Sequence, residues 1–87
     1  MMTEEELELI LRRWSLTTGD KWISYVEGRD HSSGSNFIKT ISGEQRGMDI
    51  EIIGATNADQ DFIASCKQDI PRLVEELKRL RQKNPSA

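Results

Sequence analysis

The sequence predicts an α+β fold: an N-terminal helix, a three-stranded antiparallel meander, and a C-terminal helix that is broken near Pro71. Apolar residues recur at helical spacing near both ends of the chain, and short β-prone stretches separated by glycine and serine clusters lie between them. The 87 residues leave room for one domain, predicted at residues 1–83 and followed by a frayed C-terminus at 84–87. We expect both helices to pack on one face of the sheet.

The first helix is predicted from its start signal and its apolar stripe. Thr3 and Glu6 have the spacing of a capping box, in which each side chain accepts a hydrogen bond from the other residue's backbone N–H. Gly19 can adopt the positive φ that ends a helix, so we expect the helix to stop by about residue 17. The predicted core positions are Leu7, Ile10, Leu11 and Trp14.

Three strands are predicted in the middle of the chain, at Trp22–Glu27, Asn36–Ile41 and Met48–Ile53. The connections are too short for the crossover that parallel strands require, so the strands should be antiparallel neighbours. In the last stretch, apolar and mostly acidic residues alternate, which predicts an apolar face turned toward the helices.

The C-terminal region carries two helix start signals. Thr56 or Asn57 can cap a first segment, and Asp69 can cap a second one that begins at Pro71, so we predict a break at residues 68–70. The predicted buried side of the first segment is Ala58, Phe62, Ile63 and Cys66. The apolar positions of the second are Ile70, Leu73, Val74, Leu77 and Leu80.

Composition narrows the classes of function. Twelve Lys and Arg against fifteen Asp and Glu give a net charge of −3, which disfavours nucleic acid as a partner. Apolar runs are far shorter than a membrane span, and the single Cys66 with no leader-like segment predicts a cytoplasmic protein. One cysteine and one histidine cannot form a zinc cluster, and the glycines lack phosphate-loop spacing, so we expect neither a metal nor a cofactor.

Two stretches of the C-terminal third carry a resemblance. Residues 57–64 read Asn-Ala-Asp-Gln-Asp-Phe-Ile-Ala, and residues 69–77 read Asp-Ile-Pro-Arg-Leu-Val-Glu-Glu-Leu. They resemble the N-A-x-F-I-A and D-[IV]-P-x-L-[LV] ending of small bacterial and phage-encoded proteins that have no assigned activity. In that group a Pro-Gly-Pro-Trp-like turn often follows the first helix, and here only Gly19 and Trp22 match it. The resemblance implies a bacterial or prophage origin and no particular chemistry.

One loop concentrates the residues that could carry chemistry, between the first two predicted strands. Asp30 or Glu27 could orient His31 as a general base, while Arg29 could hold an anion through paired N–H donors. Two other interpretations stay open: the loop's polar side chains hydrogen-bond its own backbone, or the loop binds a partner without catalysis. The candidate site residues are Glu27, Arg29, Asp30, His31, Ser33 and Asn36.

The sequence best fits a small non-enzymatic accessory protein that acts by binding another protein, because so short a chain can hardly enclose a pocket. A homodimer is one form that this binding could take, since a three-stranded sheet leaves two edges open. One alternative is a toxin-immunity or counter-defence protein whose acidic surface blocks a basic site. Another is a small enzyme or ligand-binding protein that uses the Arg29-Asp30-His31 loop. A third is a nucleic-acid contact through the basic last helix.

Overall fold

The computed structural model describes residues 1–32 and 34–83, and it has the predicted α+β order of elements. Helix α1 spans Glu4–Ser15, strands β1, β2 and β3 span Lys21–Tyr25, Phe37–Ser42 and Gln45–Arg46, and helix α2 spans Asn57–Lys83. The strands form one antiparallel sheet in the order β1-β2-β3, which confirms the predicted meander. The frayed end predicted at 84–87 lies outside the described residues.

The chain divides into two compact units. The sheet unit is Thr18–Gln68, and the helical unit joins Met1–Thr17 to α2 from Asp69 onwards. In the sheet unit, the buried side chains of the sheet are Ile38 and Thr40, both 0 % exposed. In the helical unit, Leu7 of α1 and Val74 of α2 are buried. The placement of both helices on one sheet face stays a prediction.

Helix α1 begins and ends as its sequence predicts. The Thr3 hydroxyl accepts a hydrogen bond from the Glu6 N–H at 3.1 Å, and the Glu6 carboxylate accepts one from the Thr3 N–H at 2.9 Å. This capping box satisfies backbone donors that the first turn leaves open. Gly19 follows the helix with a φ of 68°.

Helix α2 is one continuous element, so the predicted break at residues 68–70 is wrong. Pro71 lies inside the helix, and Asp69 is a helical residue rather than a cap. The actual cap is Thr56, whose hydroxyl accepts from the Asp59 N–H at 3.0 Å while the Asp59 carboxylate accepts from the Thr56 N–H at 3.1 Å. A proline removes one backbone hydrogen bond from a helix interior. Helical residues on both sides of Pro71 keep α2 continuous despite this loss.

The buried side of the first half of α2 also differs from the prediction. Of the predicted residues, Ala58 and Phe62 are exposed, and Ile63 and Cys66 are half-buried. The fully buried positions are Gln60, Ala64 and Lys67. These three follow the i, i+4, i+7 spacing of a single helix face. The helix is rotated to this face because Gln60 and Gln68 both bind strand backbone in the sheet unit.

Gln68 takes the place of a neighbouring strand at the open edge of β1. Its side-chain oxygen accepts from the Trp22 N–H at 2.9 Å, and its side-chain nitrogen donates to the Trp22 carbonyl at 2.9 Å. Trp22 lies opposite Thr40 in the β1–β2 ladder. One glutamine side chain thus satisfies both backbone groups of an edge residue, which would otherwise need water or another strand.

The third strand lies at Gln45–Arg46, before the predicted range Met48–Ile53, so its predicted bounds are wrong. Within the predicted range only Ile50 forms an isolated bridge, and a bulge separates it from the strand. Ile41 pairs with Arg46, so an unbroken register would place Asp49 opposite Ile38; Ile50 lies there instead and exchanges two 2.8 Å hydrogen bonds with Ile38. One extra residue is therefore inserted between Gly47 and Ile50.

The bulge also changes which side chains face the core. Thr40 donates its hydroxyl hydrogen to the Met48 carbonyl at 2.7 Å, which ties the bulged segment to β2. Met48 is 82 % exposed and Ile53 is fully exposed, whereas Ile50 and Ile52 are half-buried. The apolar face predicted for Met48–Ile53 is therefore wrong at Met48, because the inserted residue breaks the strict alternation.

Gly47 makes the close approach that the bulge requires. Its N–H donates to the Thr40 carbonyl at 2.8 Å, and a Cβ atom on Gly47 would lie 2.6 Å from the Thr40 hydroxyl oxygen. We expect Gly47→Ala to lower the free energy of unfolding by about 1 to 3 kcal/mol, because Thr40 is fully buried and its hydroxyl is held by the hydrogen bond to the Met48 carbonyl. Chemical denaturation measures this. Met48→Ala, at the exposed neighbour, should change stability by less than about 0.5 kcal/mol; equal effects of the two variants would contradict the bulge geometry.

Replacing Pro71, in contrast, should stabilise the protein. Pro71→Ala restores a backbone N–H inside α2, so we expect the free energy of unfolding to rise by about 1 to 3 kcal/mol. Thermal unfolding followed by the helical circular dichroism signal checks this. Arg72→Ala serves as the control for alanine propensity at the adjacent position. A Pro71→Ala protein no more stable than the control would show that the proline costs this helix nothing.

Candidate functional site

The candidate loop between β1 and β2 is closed by its own backbone. The N–H groups of Arg29 and Asp30 both donate to the Val26 carbonyl, at 3.1 and 2.9 Å, and the Gly28 N–H donates to the His31 carbonyl at 2.8 Å. Gly28 has a φ of 82°, which glycine adopts without the steric cost that other residues meet. The loop therefore turns back on itself immediately after Val26, a buried residue.

Arg29 is held between two carboxylates. Its two terminal nitrogens donate to the two oxygens of Asp61 at 2.8 and 2.9 Å, which is a bidentate ion pair. Its Nε and one terminal nitrogen also donate to Asp30 at 3.0 and 2.9 Å. Asp61 lies in the first turns of α2, so this guanidinium joins the loop to the helix. We call Arg29, Asp30 and Asp61 the arginine clamp.

The arginine clamp continues into the sheet through hydroxyl and amide groups. The Ser24 side chain hydrogen-bonds Asp61 and accepts from the Gln60 side-chain nitrogen at 2.9 Å. Gln60 is buried, and the same nitrogen also approaches the carbonyls of Tyr25 and Phe37 at 3.1 and 3.2 Å. A polar path thus runs from the loop, through α2, to the ends of β1 and β2.

The clamp shifts the acidity of both of its carboxyl groups. Hydrogen bonds from Arg29, and a weaker one from Ser24, lower the pKa of Asp61 from its usual 3.8 to about 2. Hydrogen bonds from Arg29 and from the Val26 N–H lower the pKa of Asp30. Both shifts arise because the partners stabilise the charged carboxylate.

Glu27 and Asn36 connect the two ends of the loop. The Glu27 N–H donates to the Asn36 side-chain oxygen at 2.8 Å, and the Glu27 carboxylate accepts from the Gly34 N–H at 2.8 Å. The Asn36 side-chain nitrogen donates to the side chain of Asn57 at 3.1 Å, at the start of α2. These bonds anchor the second half of the loop to the same helix end that binds Arg29.

His31 lies among aromatic rings. Its ring is 5.1 Å from that of Phe37 and 6.2 Å from that of Tyr25, and these two rings stack on each other at 5.2 Å. Only 15 % of the His31 side chain is exposed. Its Nδ1 lies 3.6 Å from a carboxylate oxygen of Glu27, within range of an ion pair but beyond hydrogen-bond distance.

The structure places five of the six predicted site residues in two groups of contacts, one around Glu27 and one around Arg29. Glu27 is the carboxylate beside His31, whereas Asp30 is directed to Arg29 and to the Val26 N–H. The anion that Arg29 binds is a carboxylate of the chain itself, on α2. Asn36 bonds Glu27 and Asn57, and Ser33 lies outside the described residues. Catalytic or partner-binding roles for these residues stay predictions.

Sequence reasoning missed the residues that complete the network from outside the loop. The sequence presents Asp61 only as one of several acidic residues near the start of the last helix. Ser24, Gln60 and Asn57 have ordinary polar side chains whose role depends on tertiary contacts. The sequence carries no signal for Gln60, because its burial on one helix face with Ala64 and Lys67 is known only from the structure.

The described residues contain neither a cluster of metal ligands nor a membrane-spanning helix. In residues 1–32 and 34–83, His, Cys, Asp and Glu side chains form no group of three or more that could hold a metal ion. Within the same ranges, neither helix combines the length and apolar character needed to cross a bilayer.

The chain matches no family model, no curated protein and no solved structure.

The arginine clamp predicts how stability depends on pH. A carboxyl whose pKa is lowered by folding stabilises the protein above its usual pKa, and this contribution is lost as the pH falls toward the folded value. For Asp61 the loss should occur as the pH falls from about 4 to about 2. We expect Asp61→Asn to lower the melting temperature near neutral pH and to flatten the acid-induced decrease.

Melting temperatures measured between about pH 6 and pH 2 provide this test. Asp69→Asn removes a carboxylate from the same helix without touching Arg29, so it should keep the steep wild-type decrease. Identical pH profiles for wild type and Asp61→Asn would mean that the ion pair does not stabilise the folded chain.

Proposed function

We propose that this chain is a small non-enzymatic accessory protein of bacterial or prophage origin, located in the cytoplasm, that acts by protein–protein binding. The origin rests on the resemblance of residues 57–64 and 69–77 to small bacterial and phage-encoded proteins, and the compartment rests on the single cysteine.

The observation that carries the proposal is an exposed row of leucines on α2. Leu73, Leu77 and Leu80 are 60, 40 and 46 % exposed and follow the i, i+4, i+7 spacing of one helix face. We call them the leucine face. Single exposed leucines are common on protein surfaces, whereas a row of them along one helix face is typical of surfaces that bind another protein.

The hydrogen bonds that Arg29 makes within the chain support the same proposal. The Nε and both terminal nitrogens of Arg29 donate to Asp30 and Asp61. Arg29 could bind an external anion only if some of these hydrogen bonds were broken. Removing a partner from a charged hydrogen-bonded pair costs more than removing one from a neutral pair. The loop's groups thus serve the fold, and the leucine face is the better candidate for recognition.

Site-specific photo-crosslinking tests the proposal. A photoreactive amino acid placed at position 73, on the leucine face, should yield crosslinked species in cells that express the protein. Position 82 is the control, because Gln82 is exposed on α2 nine residues after Leu73, which places it on the opposite side of the helix. Crosslinks from position 73 and few from position 82 would support binding through the leucine face; equal yields at both positions, or none, would reject it.

A further inference from the structure

The edge of β1 is the longer of the two edges of the sheet. Strand β1 has five residues, whereas β3 at the opposite edge has two. An exposed strand edge presents backbone N–H and C=O groups on which a strand of another chain can form hydrogen bonds. The groups that close the β1 edge therefore decide whether two copies of the chain can join their sheets.

The β1–β2 ladder shows which backbone groups of β1 point outward. Ile38 of β2 exchanges two 2.8 Å hydrogen bonds with Ile50 on its other side, so its backbone groups point away from β1. Its partner in β1 is Ser24, and these two residues form a pair without mutual hydrogen bonds. Such pairs alternate with hydrogen-bonded ones along antiparallel strands, so Trp22, Ser24 and, just after the strand, Val26 all direct their backbone groups outward.

The outward groups are closed at both ends of the strand. The Gln68 side-chain oxygen accepts from the Trp22 N–H and the side-chain nitrogen donates to the Trp22 carbonyl, both at 2.9 Å. The Val26 N–H donates to the Asp30 carboxylate at 2.8 Å, and the Val26 carbonyl accepts two N–H groups of the turn that follows. Ser24 is the outward position between these closed residues, and one residue is too short a stretch for another strand to pair with.

Helix α2 runs along β1 in the opposite direction and so places Gln68 beside Trp22. Gln60 lies at the other end of the strand, where its side-chain nitrogen approaches the Tyr25 carbonyl at 3.1 Å. From residue 60 to residue 68 the helix rises about 12 Å, and from residue 25 to residue 22 the strand extends about 10 Å. The two lengths match, so both glutamines reach the strand from one helix. A shorter side chain at position 68 would leave Trp22 open while Gln60 stays in place.

We propose that Gln68 closes a latent pairing site on β1, and that this contact keeps two copies of the chain from joining their sheets. With Gln68 withdrawn, Trp22 and Ser24 present their N–H and C=O groups in a row. The β1 edges of two copies then pair antiparallel about a two-fold axis, because each edge donates and accepts with the same residues. This pairing would join two three-stranded sheets into one. The site lies on the sheet and is independent of the leucine face.

Amide hydrogen exchange followed by NMR tests the closure in the full chain. In the wild-type protein, the Trp22 amide should exchange at least about 10-fold more slowly than the Ser24 amide, because Gln68 accepts its hydrogen bond. Gln68→Ala, and Gln68→Asn with a side chain one methylene shorter, should each raise the Trp22 exchange rate about 10-fold or more in dilute solution. Gln82→Ala removes an exposed glutamine from the same helix and should leave this rate unchanged.

Sedimentation of the same proteins tests the pairing. At the concentrations used for NMR, Gln68→Ala and Gln68→Asn should sediment as larger species than the wild type, and their Trp22 and Ser24 amides should become protected again as the two edges pair. Gln82→Ala should sediment like the wild type. Association through any other surface is common to all of these proteins, so renewed protection of the two amides is specific to β1. Circular dichroism checks that each variant keeps its helix content.

Three results would overturn the inference. Equal exchange of the Trp22 and Ser24 amides in the wild-type protein would show that Gln68 does not close the edge. Wild-type dimers that protect the Ser24 amide would show that the edge pairs despite Gln68. Folded position-68 variants that expose the Trp22 amide yet sediment like the wild type at every concentration would show that β1 is not a pairing site.

Discussion

The bidentate ion pair between Arg29 and Asp61 is the contact on which the organisation of the sheet unit depends. It joins a turn that follows β1 to the first turns of α2, two segments that are more than thirty residues apart in the chain. Around it, Asp30 closes the turn, and Ser24 and Gln60 carry the hydrogen bonds to the strand ends. Gln60 is the buried member, whereas Arg29, Asp30 and Asp61 remain partly exposed to water, so the network contributes to stability mainly by linking the loop to the helix and to the strand ends.

Side-chain hydrogen bonds also attach α2 to the sheet. Most helices pack on sheets through apolar side chains, but here Gln60 and Gln68 bind strand backbone directly. A glutamine amide offers both a donor and an acceptor, so it can replace the peptide group of a missing strand. The edge of β1 is thereby blunted at Trp22, which reduces the exposed backbone available for strand pairing with another chain.

The two units use their surfaces differently, and this difference underlies the functional proposal. In the sheet unit, the charged and amide groups of the loop are engaged with one another. In the helical unit, the polar groups of α1 and α2 form ion pairs at the helix contact, while an apolar row beside them stays open. A two-helix unit buries only one line of contact, so it gains stability by covering its remaining apolar side.

Local sequence signals predicted the order of the elements well, but they placed the third strand too late in the chain, predicted a break in α2 that is absent, and gave few of the tertiary contacts. The capping boxes at Thr3 and Thr56, the turn at Gly19 and the meander all follow from patterns of a few residues. The bulge after Gly47 could not be predicted, because it depends on Thr40 reaching the Met48 carbonyl across the sheet.

The loop and the last helix show the same limit. The sequence identified Arg29 and Asp30 as a polar cluster, yet the role of Arg29 is set by Asp61, which the chain brings back from a distant position. The break expected at Pro71 was wrong because a helix that is supported along its length can accommodate the loss of one hydrogen bond.

A double-mutant cycle between Arg29 and Asp61 tests most directly that the loop residues serve the fold. The free energy of unfolding would be measured for wild type, Arg29→Ala, Asp61→Ala and the double variant by chemical denaturation at neutral pH. The arginine clamp predicts that the double variant loses clearly less stability than the sum of the two single losses, because either substitution alone already breaks the pair. Strictly additive losses, or single variants as stable as wild type, would contradict the clamp and return Arg29 to the residues available for an external ligand.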